Sequence, residues 1–480
     1  MNYGIIIFII GWVIQVEALF MLLPGIVSII YGESNTGVFF GCAAVFFVLG
    51  RLLTRRKTDN SHFYAREGFV AVALSWVVLS MAGAVPFIVS GEIPHVVDAL
   101  FEIVSGFTTT GASILTDVEA LSRSMLFWRS FSHWIGGMGV LVFILAVLPM
   151  AGGQNIYLIK AETTGPDVGK LVPRLQKTAG YLYIIYIVMS IIQLVLLLLG
   201  RMPLFDALCD VFGTAGTGGF GIKRDSMAGY STYIQIVTAV FMLLFGVNFN
   251  FYFFIISKRL RLALGMEEVR WYFIIYLMAT LGIILNLWHT TGVLGINVKE
   301  AVFQVSSIMT STGYATTDYD RWPQFSRYII CLVMFIGTCT GSTGGGIKVA
   351  RIVIYFKQIG KQLAFLIHPR SVKTLRMDGK KIEHNTIRVV NTYLIVYIAI
   401  FVLSMLILTL DDFELTTTFT AVAATFNNIG PGLGQVGPAG NFAEFSVLSK
   451  LVMIFDMLAG RLEIFPLLVL FTPATWRRNG

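Results

Sequence analysis

An all-α polytopic membrane protein is the fold class this sequence predicts. Four span–pore half-helix–span repeats surround a central pore, and an N-terminal two-span hairpin precedes them. Three observations predict it: an apolar composition, ten apolar runs of spanning length, and four glycine-bearing loops at near-regular spacing. The chain has 480 residues, 56% hydrophobic and only 13% charged, with a mean hydropathy of +0.77. A soluble chain carries about 25% charged residues, so there are too few charges here to coat two or three soluble domains. A cytosolic enzyme, a secreted disulfide scaffold and a disordered regulator are excluded. The apolar runs are continuous, not alternating, which argues against a β-barrel.

The runs lie near 4–30, 37–53, 68–90, 124–150, 178–200, 231–256, 271–290, 326–356, 389–410 and 445–472. The first lacks a basic flank and reads as a span, not a cleaved signal. If all ten cross, the connections 51–67, 151–178, 257–270, 348–388 and the tail 473–480 share one side. They hold 25 of the 35 Lys and Arg but 8 of the 27 Asp and Glu. By the positive-inside rule that side is cytoplasmic and both termini are inside. The net charge of +8 is then topology, with no nucleic-acid partner expected. The other 19 acids lie on the outer side or within the membrane, a distribution that would concentrate cations unless acids are simply tolerated there. The scattered Cys42, Cys209, Cys331 and Cys339 suggest neither a disulfide framework nor a zinc site.

Each later outer connection holds an apolar segment too short to span, followed by a polar, glycine-bearing loop. The loops are 107–113, 215–221, 309–315 and 426–432, aligned on Gly111, Gly219, Gly313 and Gly430. Thirteen residues before the first three glycines stand Asp98, Asp206 and Glu300, each followed by Ala. The chain therefore divides into a hairpin, 1–57, and repeats 58–160, 161–262, 263–375 and 376–480. A half-helix ending within the membrane leaves its last carbonyls unsatisfied, and its C-terminus carries partial negative charge. Four such ends around one axis would offer a ring of carbonyl oxygens, with glycine permitting the required backbone angles. Ordinary re-entrant turns or close helix packing are the bland alternative.

Residues 337–346 place five glycines among hydroxyl side chains in the middle of the run 326–356. No stable lipid-facing helix forms from them. They suggest a gating loop, with Gly341, Gly344, Gly345 and Gly346 at its turns, or else a packed kink. Arg461 lies deep in the last run, where an ionisable residue is a functional candidate by default. It would be an electrostatic barrier to a cation, or a structural salt bridge with Asp456 or Glu463. His133 reads as structural or interfacial. The G-x-G-x-x-G match at 216–221 follows no strand, and 341–348 lacks the G-K-[ST] ending, so neither indicates nucleotide binding. No triad or paired metal motif marks an enzyme.

The four loops, the G-S-T-G-G-G-I-K segment at 341–348 and Arg461 together resemble the Trk/Ktr/HKT superfamily of cation transporters, over the whole chain. The hairpin at 1–57 resembles its TrkH branch. The resemblance implies potassium translocation at a bacterial inner membrane, with a filter of Thr109, Thr110, Gly111, Gly218, Gly219, Thr312, Gly313, Asn428, Ile429 and Gly430. It implies gating by the 337–346 loop with Arg461 as a constriction beneath it. It also implies a homodimer and a cytosolic nucleotide-binding regulatory subunit of TrkA type. No cofactor is expected in this chain, since potassium is the substrate. In plant relatives a serine at the first filter position accompanies sodium selectivity; Gly111 favours potassium. Loop 2, Thr217-Gly218-Gly219-Phe220, leaves its register open by one residue. A symporter coupled to protons or sodium is the alternative, with Glu17, Asp456 and Glu463 as candidate acids. The basic connection 348–388 would dock the regulatory subunit or anionic lipid, unless it is topology alone.

Overall fold

The computed structural model describes residues 1–55, 65–147, 175–292, 294–370 and 374–476. Most of the connections 51–67 and 151–178, and the last four residues, lie outside these. The N-terminal hairpin is α1 (Tyr3–Phe20) running into α2 (Leu22–Tyr31), then α3 (Thr36–Thr54). Gly11 and Gly50 let α1 and α3 cross closely: a Cβ on Gly11 would lie 2.9 Å from the side chain of Leu53.

Repeat 1 is α4 (Ala65–Ser90), half-helix α5 (Val96–Phe107) and α6 (Arg123–Val147). Repeat 2 is α7 (Leu175–Leu199), half-helix α8 (Leu204–Gly216), α9 (Thr232–Phe245) and α10 (Phe249–Ile256). A short α11 (Leu260–Gly265) leads to repeat 3: α12 (Glu267–Thr291), half-helix α13 (Leu294–Met309), α14 (Gln324–Ile336) and α15 (Val349–Ile367). A hairpin of β1 (Arg376–Met377) and β2 (Lys380–Lys381) follows. Repeat 4 is α16 (His384–Leu408), half-helix α17 (Leu415–Phe426), α18 (Val447–Arg461) and α19 (Phe465–Phe471), with α20 (Pro473–Trp476) at the end.

Six of the ten expected spans are continuous apolar helices long enough to cross a membrane: Tyr3–Tyr31, Thr36–Thr54, Arg66–Ser90, Gly180–Leu199, Glu267–Thr290 and His384–Asp411. Helix α6 covers most of a seventh. The other three are broken, and all three are the second spans of repeats 2, 3 and 4. The run 231–256 bends by 89° between α9 and α10, where Asn248 caps α10 by accepting from Asn250 N at 2.9 Å. The run 326–356 opens at 337–348, as its glycines predict. The run 445–472 breaks at 462–464, directly after Arg461; Glu463 and Ile464 take left-handed φ values of 57° and 68°.

Burial departs from a soluble protein's pattern at the exterior and along one interior axis, around an ordinary apolar core that includes Phe101, Phe107, Trp128 and Tyr272. Large apolar side chains such as Ile30, Leu199, Met278 and Leu406 are exposed and suit a lipid environment. Thr108, Thr109, Thr110, Ser306, Ser307, Thr310, Asn427 and Asn428 are buried completely. Such polar groups persist inside a membrane only where protein or water satisfies them, so the apolar interior encloses a polar axis.

Candidate functional site

The polar axis is built from the ends of the four half-helices. Each ends in the same backbone turn. Two residues before each aligned glycine a non-glycine residue is left-handed: Thr109 (φ 55°), Thr217 (58°), Ser311 (53°) and Asn428 (54°). The glycines themselves have φ of 81°, 68°, 90° and 98° for Gly111, Gly219, Gly313 and Gly430. The residue before each glycine donates its N–H back to the half-helix at 2.8 Å: Thr110 to Ser105 O, Gly218 to Gly213 O, Thr312 to Ser307 O and Ile429 to Ala424 O. This satisfies carbonyls that a helix end would otherwise orphan. Loop 2 takes this turn in the same register, with no one-residue slip.

The four turns close on one another. A Cβ on Gly111 would overlap the carbonyl oxygen of Gly218, and one on Gly219 that of Thr312. One on Gly313 would overlap the carbonyl oxygen of Ile429, and one on Gly430 would lie 2.8 Å from that of Thr110. The order runs from repeat 1 to 2, 3, 4 and back to 1. Positive φ and the approach of a neighbouring carbonyl both require glycine at these four positions.

Hydroxyl and amide groups brace the turns. Thr108 and Thr110 share a hydrogen bond of 2.8 Å, and Thr310 and Thr312 one of 2.7 Å. Asn428 Nδ2 donates to Thr110 Oγ1 at 3.0 Å and to Met457 O at 2.9 Å. A second brace was not singled out from the sequence. Glu102 accepts from Ile114 N at 3.0 Å and from Ser113 Oγ at 3.0 Å. The Gln304 amide oxygen accepts from Thr316 N at 2.8 Å, and Thr420 Oγ1 accepts from Leu433 N at 2.9 Å. Each holds the N–H three residues past its glycine. Glu102, Asp210 and Gln304 all stand nine residues before the glycine, a matched offset that could have found them. Arg129 neutralises Glu102 in a buried pair at 2.5 Å.

The acids at the half-helix entrances are less free than their number suggests. Asp98 is paired with Lys450 at 2.6 Å. Asp206 accepts from Tyr230 OH at 2.8 Å and lies 3.8 Å from Lys223 Nζ. Charge attraction at the half-helix entrances is therefore partly neutralised.

The 337–348 break lies against the half-helix ends. A Cβ on Gly344 would lie 2.8 Å from Thr310 O, and one on Gly345 would overlap Asn427 O. Gly345 N donates to Ser311 Oγ at 2.6 Å. The bend in repeat 2 receives the other side: Cys339 N donates to Gly246 O and Phe249 N to Gly341 O, both at 3.1 Å. Lys348, buried, donates to Gly344 O and to Thr338 Oγ1. Glu268 clasps both ends, accepting from Thr340 N at 2.5 Å, Thr340 Oγ1 at 2.6 Å and Ala350 N at 3.3 Å. Gly341 and Gly346 are left-handed, at 67° and 83°.

Arg461 ends α18 and donates to Thr343 O and to Gly136 O, each at 2.6 Å. It thus joins the loop to α6. The two acids considered as its partners are engaged elsewhere: Glu463 pairs with Arg351, and Asp456 accepts from Ser404 at 2.7 Å. His133 is wholly buried, between α5 and loop 2, so it is not interfacial.

Four re-entrant half-helices around a polar axis, inside a shell of lipid-suited spans, define a multi-pass membrane transport protein. Comparison with known proteins carries this further. The family model described as "TrkH: Cation transport protein" matches residues 35–478. The Trk system potassium uptake protein TrkH of Salmonella typhimurium is 37% identical, over 99% of this chain and 100% of its own length. The TrkG protein of Escherichia coli is 34% identical over 97% of each chain. The crystal structure of the potassium transporter TrkH from Vibrio parahaemolyticus superimposes with a TM-score of 0.89 at 34% identity, over 99% of this chain and 100% of that one. The chain belongs to the TrkH family of cation transport proteins.

Proposed function

We propose that this protein takes up potassium across the bacterial inner membrane through one central path. The closed ring of four glycine turns is the observation that carries the reading. The carbonyls of Thr110, Gly218, Thr312 and Ile429 each abut the glycine of the preceding repeat, which is what an oxygen cage replacing an ion's hydration shell requires. The filter then comprises Thr109, Thr110, Gly111, Gly218, Gly219, Thr312, Gly313, Asn428, Ile429 and Gly430. The relatives named above are potassium uptake proteins, which supports potassium as the ion. The repeats 58–160, 161–262, 263–375 and 376–480 are its four quarters, behind the hairpin 1–57.

In this reading the 337–346 loop is the gate, turning at Gly341, Gly344, Gly345 and Gly346, and Arg461 is its electrostatic barrier. The subunits work as homodimers, with both termini cytoplasmic, and a nucleotide-binding regulatory subunit of TrkA type docks on the basic connection 348–388. No cofactor takes part. One charge crossing 100 mV gains about 2.3 kcal/mol, so the membrane potential suffices to drive uptake. Purified protein in liposomes with an imposed inside-negative potential should take up potassium in preference to sodium. Equal uptake of the two ions by correctly inserted protein would sink the reading.

A symporter coupled to protons or sodium is the second reading. It is favoured by Glu17, both of whose carboxylate oxygens are buried without a hydrogen-bond partner, and by the similarly placed Oδ2 of Asp456. The reversal potential decides: a shift with an imposed pH or sodium gradient supports coupling, and no shift supports the passive path.

A further inference from the structure

Loop 2 is the exception among the four turns. Loops 1 and 3 hold themselves by Thr108–Thr110 and Thr310–Thr312 hydroxyl pairs. Loop 4 uses its own side chains, Asn427 bonding back to Ala423 O and Asn428 reaching Thr110 and Met457 O. At the positions of those threonines loop 2 has Gly216 and Gly218. Its half-helix brace is also diverted: Asp210, aligned with Glu102 and Gln304, accepts instead from Thr238 Oγ1 at 3.1 Å and Gln193 Nε2 at 3.4 Å.

Its support comes from another repeat. Arg129 and His133 lie four residues apart on α6 and share a helix face. Arg129 Nη1 donates to Gly221 O at 2.9 Å, and its guanidinium carbon lies 3.5 Å from the centre of the Phe220 ring. The His133 ring is centred 4.2 Å from that of Phe220. A Cβ on Gly218 would run into the His133 ring, and one on Gly216 into its carbonyl. His133 thus fills the space that side chains of loop 2 would need.

The hydrogen bonds also specify its proton. Gly106 O can only accept, so Nδ1, 2.8 Å away, carries the hydrogen. The Phe220 N–H can only donate, so Nε2, 3.3 Å away, is the bare acceptor. A single neutral tautomer satisfies both. Phe220 directly follows Gly219, so this bond fixes the backbone at the ring itself.

We propose that His133, in its Nδ1–H tautomer, is the positioning residue that sets loop 2 and, through the Gly218 and Gly219 carbonyls, the discrimination of potassium from sodium. The inference rests on reading the four turns as a filter. Ion uptake by proteoliposomes, with insertion checked by thermal unfolding, tests it on three variants. His133→Phe keeps the ring but removes both nitrogens. His133→Gln keeps a donor and an acceptor. Gly219→Ser disturbs the loop directly.

A buried N–H left without its acceptor should lower the potassium-to-sodium uptake ratio about tenfold in His133→Phe. His133→Gln should recover most of that loss, and rescue by a hydrogen-bonding side chain is not expected of a space-filling role. If Gly219→Ser lowers the ratio while His133→Phe keeps the wild-type value, the His133 inference falls and the filter reading stands. The inference also falls if His133→Gln is as impaired as His133→Phe. If Gly219→Ser leaves the ratio unchanged, the filter reading itself fails. Should His133→Phe not insert, His133→Met replaces it under the same outcomes.

Discussion

The half-helices and the second spans of the four repeats make an instructive contrast. The half-helices are close to fourfold alike. Each ends in one left-handed residue, one back-donated N–H at 2.8 Å and one glycine with positive φ. The second spans share no such pattern. Helix α6 is continuous, the α9–α10 pair bends by 89°, α14 and α15 are separated by the glycine loop, and α18 ends on Arg461. A ring that strips water from an ion must present similar oxygens from every side. A barrier that opens and closes needs only one movable element and one fixed charge. In the function proposed above, repetition in one half serves selection and divergence in the other serves gating.

The contrast can be broken at the divergent half first. Deleting 341–345 removes the segment held by Lys348 and Arg461, between the two ends that Glu268 clasps. Potassium leak should rise while the ion preference, set by the ring, is retained; a correctly inserted but silent deletion would remove the loop as gate. Arg461→Ala comes next. A cation passing about 7 Å from that charge at an effective dielectric of about 20 loses about 2 kcal/mol. Basal flux should therefore rise by about thirtyfold, measured as uptake without a regulatory partner. Lower flux with normal folding would contradict the barrier.

The smallest effect belongs to the entrance of the first half-helix. Lys450→Ala frees Asp98 from a partly exposed ion pair, a change worth at most about 1 kcal/mol in stability. It should raise uptake a few-fold at low ionic strength, with the gain fading above about 0.15 M salt. A gain that persists in high salt would mean that Lys450 acts through packing and not charge.

Much of this arrangement is legible in the sequence. The four glycines, the acids thirteen residues before three of them and the glycine break at 337–346 follow from spacing and from the incompatibility of such segments with a lipid-facing helix. The bend at Gly246–Asn248 and the break at Glu463–Ile464 are not legible. The flanks of the bend are as apolar as the continuous spans, and what stabilises it is contact with residues 339–343, nearly a hundred positions away; the charged residues around the break, Asp456, Arg461 and Glu463, read as functional candidates and not as a break. The Arg461 contacts escape for a similar reason: its partners are the backbone carbonyls of Thr343 and Gly136, which carry no residue-type signal. Loop 2 is subtler. Its distinguishing feature is the absence of side chains at Gly216 and Gly218, and the residue that compensates belongs to the preceding repeat. A Thr-to-Gly change in one copy of a repeated loop is a sequence signal for such a substitute, but only the packing identifies His133.

The central claim is that all four glycine turns act as one ring. It is tested most directly by measuring the potassium-to-sodium uptake ratio of Gly111→Ser, Gly219→Ser, Gly313→Ser and Gly430→Ser singly in proteoliposomes. The account predicts a loss of discrimination in every one, because each serine would meet the carbonyl of the next repeat. Wild-type discrimination in any one correctly inserted variant would show that its loop does not belong to the ring.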